Sequence, residues 1–255
     1  MILNFEKEIF DMKKKKWWFY ITFFAILLAV FYWAISDEHP FTDAKLTVIN
    51  PAVPFFSFTD QNGKAFTQKN TDGKVYVAEY FFTTCKCICT KMNISIRRVF
   101  DTYKDEDDFL IVSHTCMPEV DSVTLMKNYE RKMLTGIILK KEDGSYKLSH
   151  QTADSNSSYT NKNWFFVTGN KSELYKLARQ GYLIDNGKSD STQRIENQFM
   201  HTQFFALVDR YGRVRGIYDG LIEVDIQKLM TDISALLKEK IDHARFMNGF
   251  SNSPN

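Results

Sequence analysis

The sequence predicts an α/β layered domain that follows a single membrane-spanning helix. Short apolar runs rich in β-branched and aromatic residues alternate with amphipathic stretches, a pattern typical of strands and helices packed in layers. One uncharged apolar run near the N-terminus is long enough to predict the membrane helix. The 33 Lys and Arg residues nearly balance the 31 Asp and Glu residues. The chain therefore lacks the concentrated basic excess that is typical of nucleic-acid-binding proteins.

The apolar run covers residues 17–35 and carries no charge. As a helix it would be about 28 Å long, close to the roughly 30 Å of a bilayer's hydrocarbon core. Aromatic residues lie at both of its ends, where amphipathic rings prefer the headgroup region. Lys13 to Lys16 precede the run and two acidic residues follow it, so the positive-inside rule exports residues 36–255. We therefore expect a single-pass protein of a bacterial inner membrane with its C-terminal domain in the periplasm. A cleaved signal peptide and a buried core helix are the alternatives.

The exported part has the length of one domain with a buried core. The expected organisation is a cytoplasmic segment (1–16), the anchor (17–35), a connector (36–50), the domain (51–240) with a surface insertion (134–163), and a flexible tail (241–255). The expected strands are 55–59, 65–67, 74–82, 109–114, 164–168, 204–209 and 214–218. The expected helices are 90–103, 119–133, 172–179 and 224–241.

Three of the four cysteines cluster within five positions, which suggests chemistry rather than a framework of structural disulfides. If their loop turns helically, Cys85 and Cys89 lie on one face about 6 Å apart along the axis. They can then either form a disulfide or jointly hold an ion. Cys87 points elsewhere and is interpreted as a small, partly buried apolar residue. A helix N-terminus with Lys86 and Lys91 nearby favours the thiolate form.

The stretch YFFTTCKCICTKMN closely resembles the cysteine loop of the Sco/SenC family, membrane-anchored thioredoxin-like proteins that serve copper delivery to cytochrome c oxidase. Further matches follow in order: FSFTDQNGKAFT, SHTCMPEVDSVTLMKNY, WFFVTG and HTQFFALVDRYGRVRGIYDG. The resemblance covers residues 51–240 apart from the insertion. It implies a thioredoxin-like fold, with a central mixed β-sheet flanked by helices.

The same resemblance implies a copper site formed by Cys85, Cys89 and His201. It also implies cytochrome c oxidase subunit II, or a similar copper client, as the partner, together with an upstream copper donor. Two positions depart from the family pattern: Lys86 stands where a proline usually follows the first cysteine, and Met117 replaces an aspartate associated with the metal site.

Two thiolates and one imidazole form a soft ligand set suited to Cu(I), and the set accepts Cu(II) with an added ligand. Zinc with an open fourth position fits the same residues. A second reading makes Cys85 and Cys89 a catalytic redox pair that reduces a client's cysteines before metal insertion. A peroxiredoxin-like peroxidase and a purely structural module are further alternatives.

The remaining candidate residues have weaker patterns. We expect a hydrogen-bonded structural role for His114, which ends a buried strand, and packing roles for Met92 and Met200. Cys116 and Met117 place sulfur after the same strand. We hypothesise that Cys116 traps a mixed disulfide or binds a second copper ion.

Overall fold

The computed structural model describes residues 17–32, 46–84, 88–142, 144–149, 159–185 and 202–239, with only the backbone for 88–90. The chain divides into two compact units, Met1–Lys45 and Leu46–Asn255. In the first unit a helix, α1, covers residues 17–32, and its side chains are exposed. None of the helices in the described ranges combines the length and apolar character needed to cross a membrane. The anchor at 17–35 therefore stays a prediction, and its last three residues lie outside the described ones.

The second unit is built on a seven-stranded sheet with the order β2-β1-β7-β4-β3-β8-β9. Its strands are β1 (Ser57–Asp60), β2 (Ala65–Thr67), β3 (Val75–Phe81), β4 (Phe109–Thr115), β7 (Trp164–Thr168), β8 (Phe204–Val208) and β9 (Val214–Asp219). The central strands β7, β4 and β3 are parallel, whereas β1, β2, β8 and β9 add antiparallel pairs. This arrangement confirms the predicted mixed sheet.

The helices of this unit cover both faces of the sheet. They are α2 (Ile88–Tyr103), α3 (Val123–Thr135), α4 (Lys171–Lys176), which continues into a π-helix (Leu177–Tyr182), and α5 (Glu223–Lys238). Helix α3 begins four residues later than predicted because Ser122 caps it, its side chain accepting the Leu125 N–H. The last helix was predicted to extend to residue 241, whereas the observed helix α5 ends at Lys238.

Every residue of β3 and β4 is buried, so alternate side chains enter two separate cores. On one face Val77 and Phe81 pack with Met92 and Ile96 of α2. On the other face Tyr76 and neighbouring β3 residues pack beneath α4 and the π-helix. Burial on both faces explains why most residues of these two strands are apolar.

The predicted insertion forms a separate two-stranded antiparallel hairpin, β5 (Ile137–Lys140) and β6 (Tyr146–Ser149). Its residues 143 and 150–158 lie outside the described ones, as do residue 240 and the predicted tail 241–255. The described domain reaches back into the predicted connector: the Ile49 N–H donates to the Val214 carbonyl at 2.8 Å. The Arg215 guanidinium likewise donates to the Leu46 carbonyl.

Candidate metal and redox site

Strands β3 and β4 end together, with Phe81 paired to Thr115 at the last position of their ladder. The Cys116 N–H then donates to the Phe81 carbonyl at 2.8 Å, so the segments that follow β3 and β4 leave the sheet side by side. Strand β8 runs antiparallel to β3 through pairs such as Ala78 with Ala206, and its first residues therefore lie at the same end of the sheet. We call this region, where β3 and β4 finish and β8 begins, the site end.

Described residues that flank two of the predicted ligands lie at the site end. Cys85 and His201 lie outside the described residues, and Cys89 is described only as backbone within the first turn of α2. The described chain stops at Thr84, just beyond β3, and resumes at Ile88. The gap that contains His201 ends at Thr202, just before β8. Among the side chains that the structure describes, no cluster of three or more His, Cys, Asp or Glu could hold a metal ion. The ligand set therefore stays a prediction. The structure describes residues that flank Cys85 and His201, and these lie at the site end.

A buried aspartate fixes the chain as it enters the cysteine loop. Asp121 is 1% exposed, and its carboxylate accepts the Thr83 N–H at 3.3 Å and the Thr83 hydroxyl at 2.5 Å. Its second oxygen accepts the Thr115 hydroxyl at the end of β4. Two residues before Cys85, the backbone is therefore tied to the segment that follows β4. The family resemblance did not identify Asp121, although an aspartate directly before a helix cap is a signal that could have found it.

Hydrogen bonds also fix the residues that directly follow His201. The Thr202 hydroxyl donates to the Ile184 carbonyl at 2.7 Å, and the Gly220 N–H donates to the Gln203 carbonyl at 2.7 Å. A Cβ added at Gly220 would lie 2.7 Å from the Phe205 ring and 2.8 Å from the Gln203 carbonyl oxygen. Only glycine allows this close approach, so residue 220 sets the position of the strand start.

A buried carboxyl lies on β3, where sequence reasoning assigned no role. Glu79 is 1% exposed, and its Oε1 accepts the Ser113 hydroxyl at 2.6 Å. The Trp164 indole N–H donates to the same Ser113 oxygen at 2.9 Å. Burial raises the pKa of Glu79 to about 8, although the Ser113 hydrogen bond opposes the rise. The signal in the sequence was a single acid inside the otherwise apolar run VYVAEYFF.

His114 has the structural role predicted for it. Its ring is fully buried, stacks on Tyr80 at 4.9 Å between centroids and meets Phe58 edge to face. Nδ1 lies 3.3 Å from the Glu79 carbonyl oxygen, and Nε2 lies 3.5 Å from the Tyr182 hydroxyl. Burial lowers the pKa of His114 to about 4, so the ring is neutral at physiological pH.

Of the candidate residues that contain sulfur, Cys116 and Met92 are described and buried. Cys116 is 3% exposed, and its carbonyl accepts the Tyr175 hydroxyl at 2.9 Å. Burial of this kind leaves little access for a client's sulfur or a second metal ion. Met92 is 2% exposed within the core, which confirms its predicted packing role. Cys87 and Met200 lie outside the described residues.

Known proteins share this fold and sequence pattern. The family model SCO1/SenC matches residues 47–140. A SCO1 protein homolog from Bacillus subtilis is 25% identical over 189 residues, covering 73% of this chain and 83% of its own length. This chain therefore spans most of that relative.

Solved structures of similar proteins match most of this chain. BsSco, described as a Sco-family cytochrome c oxidase assembly protein with a disulfide switch, is 24% identical, with a TM-score of 0.54 over 76% of this chain and 98% of its own. Copper-bound ScoI from Bradyrhizobium japonicum is 21% identical, with a TM-score of 0.50 over 72% of this chain and 99% of its own. Both structural similarities show that this chain has the fold of the Sco proteins.

Proposed function

We propose that this chain, which belongs to the SCO1/SenC family, binds one copper ion through Cys85, Cys89 and His201 and delivers it to a client. The client is cytochrome c oxidase subunit II or a protein with a similar copper centre. One observation carries the proposal: the end of β3, which precedes Cys85, and the start of β8, which follows His201, lie at one end of the sheet, and α2, whose first turn contains Cys89, begins seven residues after β3 ends.

The chemistry of the proposed ligands suits a transferable ion. Two thiolates and one imidazole form a soft, three-coordinate set that favours Cu(I) and leaves room for a client's ligand. The first turn of α2 contains no acidic residue, and a helix N-terminus stabilises a nearby thiolate. The hydrogen bonds of Thr83 and Thr202 to buried partners would hold the two loop entrances in a fixed geometry.

Two relatives support the same role. Copper is present in the ScoI structure from Bradyrhizobium japonicum, and BsSco belongs to a family of cytochrome c oxidase assembly proteins. The predicted helix 17–35 would hold the domain at the periplasmic surface of the inner membrane, within reach of a membrane-bound client and of an upstream copper donor.

A thiol–disulfide reductase is the second candidate. Cys85 and Cys89 have the i, i+4 spacing that permits a disulfide when the loop is helical, and the disulfide switch reported for BsSco favours this reading. In this role the pair would reduce a client's cysteines before the metal enters. The reaction needs both cysteines but not His201.

Anaerobic copper titration of the full chain in detergent tests the proposal. The reduced protein is expected to bind about one Cu(I), and Cys85→Ser, Cys89→Ser and His201→Ala should each abolish tight binding. Cys87→Ser and His150→Ala are matched controls that should keep it. Tight stoichiometric binding by the Cys85→Ser, Cys89→Ser double variant would overturn the copper site.

The two candidate roles are separated by one further assay. His201→Ala is measured for reduction of a model disulfide alongside its copper stoichiometry. Retained reductase activity with lost copper binding would establish thiol chemistry as an independent function. Loss of both would assign the histidine to a shared site.

A further inference from the structure

A cleft of about 380 Å³ lies between the start of β1 and helix α4. Its walls are residues 54–58 on one side and Glu173, Lys176 and Leu177 on the other, and the structure describes all of them. Most of these side chains are apolar and a few are polar, which is the usual composition of a binding pocket. None of the proposed copper ligands lines the cleft.

The backbone of Ser57 points away from the neighbouring strand β2. Across the β1–β2 hairpin, the Asp60 N–H donates to the Lys64 carbonyl at 2.8 Å. Successive residues of an antiparallel strand direct their backbone groups to alternate sides. Thr59 and Ser57 therefore direct theirs to the opposite side of β1, where Thr59 pairs with Thr168 of β7.

Strand β7 ends before it reaches Ser57. Its last residue, Thr168, already pairs with Thr59, two positions further along β1. Within the described part of the chain, the Ser57 N–H and carbonyl form no hydrogen bond on that side. An unpaired donor and acceptor on a strand form an edge to which a further strand can add.

Aromatic side chains surround this unpaired edge. Phe56 and Phe58 are buried in the core beneath α4 and the π-helix, which Leu177 also joins. Phe55, by contrast, is 93% exposed. An apolar side chain bound in the cleft would remove part of the Phe55 ring from water, which favours binding.

The same cleft has one negative and one positive side chain, Glu173 and Lys176. Their neighbour Arg179 pairs with Asp185 at 2.6 Å. Glu173 and Lys176 form no ion pair with any side chain that the structure describes. Charge complementarity therefore favours a ligand that has charges of both signs.

We propose that this cleft binds an extended peptide segment of a partner protein, which adds to the sheet beside Ser57 and continues the line of β7. The peptide residue opposite Ser57 exchanges two backbone hydrogen bonds with it, as in other antiparallel pairs. Side chains alternate along a strand, and Phe56 and Phe58 face α4, so the two peptide residues that flank the paired one enter the cleft. The segment thus has apolar residues two positions apart, with a basic and an acidic residue near them.

The cleft lies at the site end of the sheet. Strand β7 runs parallel to β4, so Thr168 and the adjoining start of β1 lie at the end where β3 and β4 finish. Strands β1 and β3 are three positions apart in the sheet, which is roughly 14 Å at about 4.8 Å per strand. A partner held in the cleft would therefore lie near the entrance of the cysteine loop. The inference goes beyond the copper and thiol roles and does not depend on them.

Fluorescence anisotropy with a defined peptide tests the inference. The probe is Lys-Val-Thr-Phe-Glu-amide with fluorescein at its N-terminus, added to the full chain in detergent, with detergent alone as the background. Saturable binding is expected. Methylation of the threonine nitrogen of the probe removes its donor to the Ser57 carbonyl, and the affinity should fall about five- to tenfold.

Two variants of Ser57 form a matched pair. Ser57→Pro lacks the N–H and should weaken binding by a similar factor. Proline is tolerated at the first residue of a strand, and this N–H points away from β2. Ser57→Ala keeps the N–H, loses only the hydroxyl and should bind like the wild type. Phe55→Ala should also weaken binding, whereas its exposed position predicts an unchanged Tm.

Four results decide the inference. Absence of saturable binding would overturn the cleft as a peptide site. Equal affinities for the two probes, or for Ser57→Pro and Ser57→Ala, would overturn the strand pairing. Binding that occurs only after removal of residues 241–255 would assign the cleft to the chain's own tail and not to a partner. If Ser57→Pro does not fold, the two probes decide. Copper stoichiometry and disulfide reduction are measured separately, so the proposed function stands or falls on its own assays.

Discussion

Asp121 accepts hydrogen bonds from both the backbone N–H and the hydroxyl of Thr83, although the two residues are 38 positions apart in the sequence. The contact joins the entrance of the cysteine loop to the segment after β4. It is almost fully buried, since Asp121 is 1% exposed. The position of Thr83, where the chain enters this loop, is therefore set by a side chain outside the loop.

Replacing that carboxylate should weaken both the fold and the site. Asp121→Ala leaves the Thr83 N–H and the Thr115 hydroxyl without their acceptor and is expected to lower the free energy of unfolding by about 3 kcal/mol. Copper affinity should fall as the loop entrance loosens. Urea denaturation and Cu(I) competition titration measure the two effects. Asp101→Ala, which breaks an ion pair with Arg97 at a half-exposed position, is the control with little expected change. An Asp121→Ala variant that keeps wild-type copper affinity would refute the positioning role.

His114 should make the protein less stable in acid. The folded-state pKa is lowered to about 4 from an ordinary value of 6.5, so between these values the unfolded chain binds a proton that the folded chain does not. Stability contributed by the neutral ring is complete above pH 6.5. It is lost at about 1.4 kcal/mol per pH unit as the pH falls toward 4.

The measurement compares urea unfolding at pH 7 and pH 5 for wild type and His114→Gln. The variant is expected to have lower stability at pH 7, because the stacking on Tyr80 is lost, but a smaller fall toward pH 5. Glu79 acts in the opposite direction in both proteins, because a raised carboxyl pKa stabilises the fold at low pH. Equal falls in the two proteins would contradict the assignment to His114.

Gly220 should be intolerant of a side chain. Gly220→Ala would press a methyl group against the Phe205 ring and the Gln203 carbonyl, and the strain is expected to cost about 1 to 3 kcal/mol. Because Gln203 lies two residues after His201, copper binding should weaken as well. Thermal unfolding and copper titration check the two effects. A Gly220→Ala protein with wild-type Tm would show that the strand start adjusts freely.

Sequence patterns predicted most elements because each depends on local periodicity. The runs that became β3 and β4 are mostly apolar because both of their faces are covered, and that character is visible without knowing the neighbouring strands. The start of α3 was misplaced by four residues, because the cap at Ser122 depends on a single side-chain hydrogen bond.

The roles of Glu79 and Asp121 depend on partners that are distant in the chain. Glu79 meets Ser113 only because β3 and β4 pair in parallel and in one register. Periodicity carries no information about which strands become neighbours, so a lone acid in an apolar run could have been an edge residue or a core residue.

The sequence by itself determined the alternation of strands and helices, the clustered cysteines and the family resemblance, because these features lie in contiguous stretches of the chain. Only the tertiary structure decided that the segments next to Cys85 and His201, the end of β3 and the start of β8, reach one end of the sheet. It also decided that Glu79 is buried, with one carboxyl oxygen that has no hydrogen-bond partner within the described part of the chain. The physical reason is that burial and hydrogen bonding depend on the register between strands, which long-range packing fixes.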